Sequence, residues 1–369
     1  MIEPSTLLQT EATQNEYIFN FVLMNIIFAF TYLNRKSPYV GHMGWLLLLV
    51  FCLFAYWDTD FFTFRETFYT ELKDFRDPLY YYIGEISLGS YTIFRLLIWG
   101  TALYLFKKTL NRFEISQNIA AYIFAVFFLL TFSYARVSLG MAMYFYGLSF
   151  LIRPSQNSRF WGIIWGLIFV GCSYYGHRSL MVLILLTPLS LIKLDKKSFF
   201  VIAVIGMVFS GLAATLLSEI IAGTLILSDD FGGAGEAAEQ YANIEIEQEY
   251  NWKFELMRNL RFWSFYVALA YIVWKIAFSH DSRLISDGIK RLATLCLGIL
   301  IFSVSFLMLP SWGAEAIGYR YLFMLGIPTC VILSYLATRE YCKPRTLLFI
   351  LLLALLYAEG FIFGKILSF

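Results

Sequence analysis

Charge is what this sequence has least of. Only 15% of its 369 residues are charged and 59% are hydrophobic, and a mean hydropathy of +0.67 excludes a water-soluble surface. The formal charge of +2 says little by itself, because in a membrane protein the distribution among loops matters more than the sum. No nucleic-acid partner is expected. Cysteine is sparse too: Cys52, Cys172, Cys296, Cys330 and Cys342 are scattered, mostly inside apolar runs, with no C-x-x-C spacing. This excludes a disulfide framework and a zinc site, and leaves them as small packing residues. The first sixteen residues lack the basic start and short apolar core of a signal peptide, so the N-terminus is expected to be retained. No nucleophile elbow, H-E-x-x-H, phosphate-cradling glycine loop or internal repeat occurs, which leaves hydrolase and zinc-protease chemistry without a motif.

Long apolar runs fill the remainder. Twelve segments near residues 17–33, 43–57, 89–106, 116–135, 137–152, 160–176, 178–192, 199–221, 262–279, 292–309, 319–338 and 346–364 have roughly membrane-spanning length. The expected fold is all-α: a polytopic integral membrane protein of about 12 transmembrane helices, forming one transmembrane domain over residues 1–369. Alternate connections are basic: Arg35-Lys36; Lys107, Lys108 and Arg112; Arg153 and Arg159; Lys193, Lys196 and Lys197; Arg283, Lys290 and Arg291; Arg339, Lys343 and Arg345. The positive-inside rule makes these cytoplasmic and puts both termini outside.

Lysine and arginine do not follow this rule alike. With Lys275 counted inside, nine lysines lie inside and three outside, whereas the arginines divide eight and eight. The outer eight are Arg65, Arg76, Arg95, Arg136, Arg178, Arg258, Arg261 and Arg320, each beside the outer end of an expected helix. Topology alone would deplete both residue types there. Guanidinium binds phosphate in a bidentate fork, so a phosphorylated ligand at the outer leaflet accounts for the excess. A single arginine of this kind also snorkels to headgroups or pairs with an outer carboxylate.

Two outer loops are long. In residues 58–88, Phe61, Phe64, Phe68, Leu72 and Phe75 share one side of a helix. This amphipathic extracytoplasmic helix is expected to lie along the membrane interface. Arg65 and Arg76 fall within its apolar arc, Glu66, Thr70 and Asp74 face away, and Pro78 ends it. Residues 223–257 join a glycine-rich turn to an acidic run and suit a lid.

The stretch from Tyr134 to Leu180 reads as two apolar runs that return the chain to its starting edge, with Arg136 at one end and His177-Arg178 at the other. His42 and His280 belong to cytoplasmic loops, which makes His177 the one outer imidazole. It is a candidate general base in its neutral form, or a phosphate holder when protonated. Asp58-Thr59-Asp60 could place a metal on a pyrophosphate, or one carboxylate could serve as base. No metal or other cofactor is assigned. Glu315 lies five residues before Arg320 and could orient it.

In order and spacing, five elements resemble the EpsG family of polysaccharide-biosynthesis membrane proteins. They are Thr59-Asp60, the D-P-x-Y of Asp77-Pro78-Leu79-Tyr80, Arg136 opening a span that contains Gly140 and Ala142, His177-Arg178-Ser179, and the late Arg320. The family often has Gly-Thr-Asp and Arg-Gln where this chain has Asp58-Thr59-Asp60 and Arg136-Val137. The resemblance covers most of the chain and implies a Wzy-like repeat-unit polymerase with a GT-C-like helical architecture. Such an enzyme sits in the bacterial inner membrane, with its site facing the periplasm. The donor and acceptor would be polyprenyl-pyrophosphate-linked glycans, and membrane lipids, a flippase and a chain-length regulator would be partners. On that basis His177, Arg136 and Asp60 are the expected catalytic residues. Arg320, Arg178, Arg65, Arg76, Arg95, Arg261 and Glu315 are expected to bind substrate. A lipid-linked glycan transporter is the leading alternative, followed by a glycan ligase or acyltransferase.

Overall fold

A computed structural model describes residues 12–37, 39–56, 59–70, 78–129, 135–153, 159–206, 208, 266–307, 318 and 321–367. They are mostly helical, with no strand among them. The helices are α1 (Gln14–Leu33), α2 (Val40–Leu53), α3 (Thr59–Thr70), α4 (Pro78–Ile86), α5 (Tyr91–Arg112), α6 (Gln117–Leu129), α7 (Ala135–Ile152), α8 (Arg159–Gly176) and α9 (Met181–Leu186). After them come α10 (residues 196–206), α11 (residues 266–278), α12 (Asp287–Leu307), α13 (Gly326–Thr338, preceded by a helical turn from Tyr321) and α14 (Pro344–Leu367).

Local chemistry sets several of these boundaries. Thr13 and Glu16 form a capping box at the start of α1: the Glu16 amide donates to Thr13 Oγ1 (3.3 Å) and the Thr13 amide donates to Glu16 Oε2 (2.8 Å). Ser90 caps α5, and Asp195 caps α10 by accepting from the Ser198 amide at 2.8 Å.

Each of the twelve expected segments carries helix among the described residues. Three helices, Gln14–Leu33, Asp287–Ser305 and Tyr321–Thr338, are long and apolar enough to cross a membrane, and seven shorter apolar ones accompany them. Helices α6 and α13 form the centre. Ala120–Phe127 and Gly326–Leu336 are buried almost residue for residue, as a helix that is apolar all round must be. Peripheral α8 instead exposes Phe160, Trp161, Trp165, Leu167 and Ile168, the surface expected against lipid. The cysteines behave as small packing groups: Cys52, Cys296, Cys330 and Cys342 are buried and none is bonded to another among the described residues.

One expectation needs correction. Segment 178–192 is not one α-helix: 3₁₀ turns at Arg178–Leu180 and Thr187–Leu191 flank the six residues of α9. The cause of the second turn is Pro188, which has no N–H to offer the Ile184 carbonyl; the Thr187 amide takes that acceptor instead, one residue early. Pro188's effect is supported from α7, where the Tyr144 hydroxyl donates to the Leu183 carbonyl at 2.9 Å. Pro78 opens α4, as a first-turn residue that needs no N–H can, and residues 71–77 before it lie outside the described residues.

All six basic connections gather at one end of the bundle. Asn118 Nδ2 donates to the Ser37 carbonyl (2.5 Å), Arg153 and Arg339 both grip Glu114 (2.5 and 2.7 Å), Arg291 donates to the Ile152 carbonyl (3.3 Å), and Lys193 pairs with Asp287 (2.6 Å). The hydrogen bond from Arg153 and its charge, followed by those of Arg339, hold the Glu114 carboxyl below the usual carboxylate range. A depressed carboxyl stabilises the fold above its unfolded-chain pKa, and that contribution disappears as pH falls through the folded value. Because Glu114 is exposed, Glu114→Gln should cost about 1 kcal/mol or less at neutral pH. Thermal unfolding of variant and wild type should converge below about pH 4.

Candidate active site

The opposite end collects α3, α4, the first turn of α5, the first turn of α7 and the end of α8. Helix α3 puts Phe61, Phe64 and Phe68 inward and leaves Glu66 and Thr70 exposed, as its periodicity predicts, and buries Phe62 besides; Leu72, Asp74 and Phe75 lie outside the described residues. Its apolar face, expected against the membrane interface, packs on protein. Phe61 meets Tyr91 (5.5 Å between centroids), Phe68 meets Phe94 (5.2 Å) and Phe64 meets Tyr80 of α4 (5.8 Å). The Tyr91 hydroxyl also donates to the Phe61 carbonyl at 2.7 Å, fixing the start of α3 to α5.

Two of the outer arginines converge on one ring. The Arg95 guanidinium lies 4.5 Å from the Phe61 centroid and Arg65 lies 6.0 Å from the same centroid and 5.0 Å from Phe62. Their surroundings differ. Arg65 is half-buried, whereas Arg95 is only 3% exposed and donates through Nη2 to the Cys52 carbonyl, an unpaired acceptor of the last turn of α2. Nε of Arg95 makes no hydrogen bond among the described residues. Arg95, one of the expected substrate contacts, clamps α2 and α3 to α5.

The hairpin of α7 and α8 closes by backbone contact. A Cβ on Gly176 would fall 2.6 Å from Gly140 Cα, and a Cβ on Gly147 would fall 2.7 Å from the Gly166 carbonyl oxygen. Only glycine permits this approach. It brings the first turn of α7, where the Arg136 backbone lies, to within one helical turn of the residue that precedes His177. Leu79 of α4 approaches Gly176 as well, and Tyr80 packs on Phe64, so α4 touches both α3 and the end of α8.

His177 ends α8 and caps the 3₁₀ turn that follows. Its Nδ1 accepts from the Ser179 amide (3.2 Å) and stands 2.6 Å from Ser179 Oγ. From the far part of the chain, the Tyr321 hydroxyl donates to the Ser179 carbonyl at 3.2 Å, and the Tyr321 ring packs at 4.9 Å on Phe302. Tyr321 is the residue after Arg320. Arg178 beside His177 is exposed. Ser179, Phe61 and Tyr321 were not expected at the site. Ser179 had a sequence signal in its place two residues after the histidine; Phe61 had none beyond its helical face.

The remaining candidates lie outside the described residues: Arg76, Arg261, Glu315 and Arg320, with the acidic loop 223–257. Asp60 and Arg136 are described as helical backbone only. No group of three or more potential metal ligands occurs among the described residues.

No curated protein and no solved structure matches the chain. The EpsG family model matches residues 43–364. With multiple apolar helices and a match over most of its length, this multi-pass membrane protein belongs to the EpsG family.

Proposed function

We propose that the chain polymerises glycan repeat units carried on polyprenyl pyrophosphate. A growing chain is transferred from its lipid carrier to a hydroxyl at the non-reducing end of a new lipid-linked unit. The observation that carries this reading is the arginine excess at the end opposite the basic loops, where α4 packs both on α3, which carries Arg65, and on the end of α8, two residues before Arg178. Family membership supports it. In this reading all twelve helical segments cross the membrane, the basic end is cytoplasmic, and the site faces the periplasm of a bacterial inner membrane.

In the reaction the bond from the donor's anomeric carbon to the pyrophosphate oxygen breaks and a glycosidic bond to the acceptor oxygen forms. Polyprenyl pyrophosphate leaves with the electron pair, and the hydroxyl proton passes to a base. A single displacement inverts the anomeric centre. Charge grows on the leaving pyrophosphate, so preorganised guanidiniums are the largest contribution the protein can make. Arg136 and Arg320 take this role first, with Arg178, Arg65 and Arg76 in support, and Arg95 acts through Phe61 by fixing Arg65. His177 and Asp60 are the two candidate bases. Whether the polymer is O-antigen, capsule or exopolysaccharide depends on the repeat unit supplied.

Purified protein in liposomes, given only lipid-linked repeat units, is expected to yield a ladder of polymer. Movement between leaflets without new bonds would mean transport, and dependence on a second acceptor would mean a ligase.

A further inference from the structure

We infer that the basic end of the bundle carries a binding site for an anionic phospholipid, with Arg112, Arg153 and Arg339 meeting its phosphodiester and the exposed face of α8 meeting its acyl chains. The polymerase reading assigns nothing to this end, and the inference does not rest on it. The arginines concerned end α5, follow α7, sit near the start of α12 and follow α13. Arg112 Nη2 donates to the Arg153 carbonyl (2.8 Å) and Arg153 Nη1 donates back to the Arg112 carbonyl (2.7 Å), which draws the two side chains together. Arg153 and Arg339 each take one oxygen of Glu114 through Nη2 (2.5 and 2.7 Å). Arg291 reaches the Ile152 carbonyl, next to Arg153, at 3.3 Å. Four guanidiniums thus gather where one carboxylate pairs with two of them. Asp287 is paired elsewhere, with Lys193 (2.6 Å), and exposed Glu340 joins no ion pair among the described residues.

Membrane topology asks only for basic residues at this end, and mobile lysines satisfy it. It does not ask for guanidiniums fastened to backbone carbonyls of neighbouring connections. Positive charges gathered in this way repel unless an anion joins them, and the planar fork is the group that takes two phosphate oxygens at once. The side chains of Arg153 and Arg339 are each 43% exposed, so a ligand can reach them. The surface beside the cluster selects a lipid over a free anion. The Arg112 guanidinium lies 3.7 Å from the centre of the Phe150 ring, and a Cβ on Gly162 of α8 would lie 3.8 Å from that ring. Just before Gly162, Phe160 and Trp161 are 70% and 62% exposed, and Trp165 and Ile168 continue an exposed stripe along α8. An indole at the end of an apolar helix sits at headgroup depth. A phosphodiester at Arg112 and Arg153 therefore has an apolar track beginning beside it. An acidic protein would match the charge and leave that track uncovered.

Native mass spectrometry of the full chain in detergent, titrated with dioleoylphosphatidylglycerol, reads the site directly. This lipid should bind about tenfold or more tightly than dioleoylphosphatidylcholine, whose ammonium cancels the phosphate charge. Arg112→Gln and Arg339→Gln should each weaken it by about tenfold or more, the effect of losing a charged hydrogen-bonding partner. Lys196→Gln removes an equal charge from an exposed position at the same end and should cost about twofold or less. Glu114→Gln removes the carboxylate that competes for Arg153 and Arg339, and should tighten phosphatidylglycerol by about threefold or more. That gain keeps the result readable even where an arginine variant fails to fold. Equal losses from Lys196→Gln and Arg339→Gln would show diffuse attraction by the whole basic end and overturn the site. Equal affinity for the two lipids, or an affinity unmoved or weakened by Glu114→Gln, would overturn it as well. Displacement of the lipid by inorganic phosphate would make the ligand a soluble anion, and displacement by polyglutamate would make it an acidic protein; either result removes the lipid.

Discussion

Arg136→Ala, at normal expression, is expected to leave single repeat units on the carrier lipid with no longer products, and Arg320→Ala is expected to do the same. The leaving pyrophosphate gains charge in the transition state, and each well-aimed donor lost there costs about 3–4 kcal/mol, or roughly 10²–10³ in rate. Arg136 opens α7 one turn before the glycine contact beside His177, and Arg320 directly precedes Tyr321, whose hydroxyl is bonded to Ser179. Arg136→Lys should recover little, because an ammonium is a point charge where a planar fork is needed. The readout is the length distribution of lipid-linked product. Long polymer from both alanine variants would remove these two arginines from the mechanism.

The second large effect is on folding. Gly176→Ala should lower the unfolding temperature by the equivalent of about 1–3 kcal/mol, and Gly176→Val by more, because overpacking here meets backbone atoms that cannot turn aside. The added carbon would lie 2.6 Å from Gly140 Cα and 3.0 Å from Gly140 N. Gly171, on the same helix, has nothing within 4 Å of an added Cβ, so Gly171→Ala should be neutral or stabilising by up to about 1 kcal/mol through helix propensity. Thermal unfolding of the two variants in one detergent makes the comparison. Equal shifts would show that the close approach of α7 and α8 does not hold the hairpin.

Much of this architecture was legible before any coordinates. The alternation of basic loops predicted which connections share an end, and the grip of Arg153 and Arg339 on Glu114 shows three of them doing so. Helical periodicity identified the buried side of α3, because a 3.6-residue repeat is a local property. What covers that side is not local: the same phenylalanine stripe suits lipid or protein, and only the arrival of Tyr91 and Phe94 decides. Arg95 and Arg178 looked alike in sequence for the same reason, yet one is buried under Phe61 and the other is exposed. Pro188 lies inside an apolar run whose hydrophobicity predicts a continuous span, and hydrophobicity does not register one missing N–H. At the site, His177 was found because imidazoles are rare on that side, and its bond from Ser179 was not, since it depends on the direction of a single backbone amide.

The short segments carry one more consequence. Helix α2 has 14 residues, about 21 Å of α-helix. The stretch from Arg178 to Leu191 also has 14, and its 3₁₀ turns lengthen it to about 25 Å. Both expose apolar side chains, Met43 and Leu46 on the first and Leu185 and Leu191 on the second. Read as membrane crossings, they fall short of the roughly 30 Å of hydrocarbon in an ordinary bilayer. The lipid beside them must thin, at a fraction of a kcal/mol per Å, and the dent brings the headgroup plane towards the protein. On the proposed function, such a dent would lower a pyrophosphate on its lipid carrier towards the depth of Arg178.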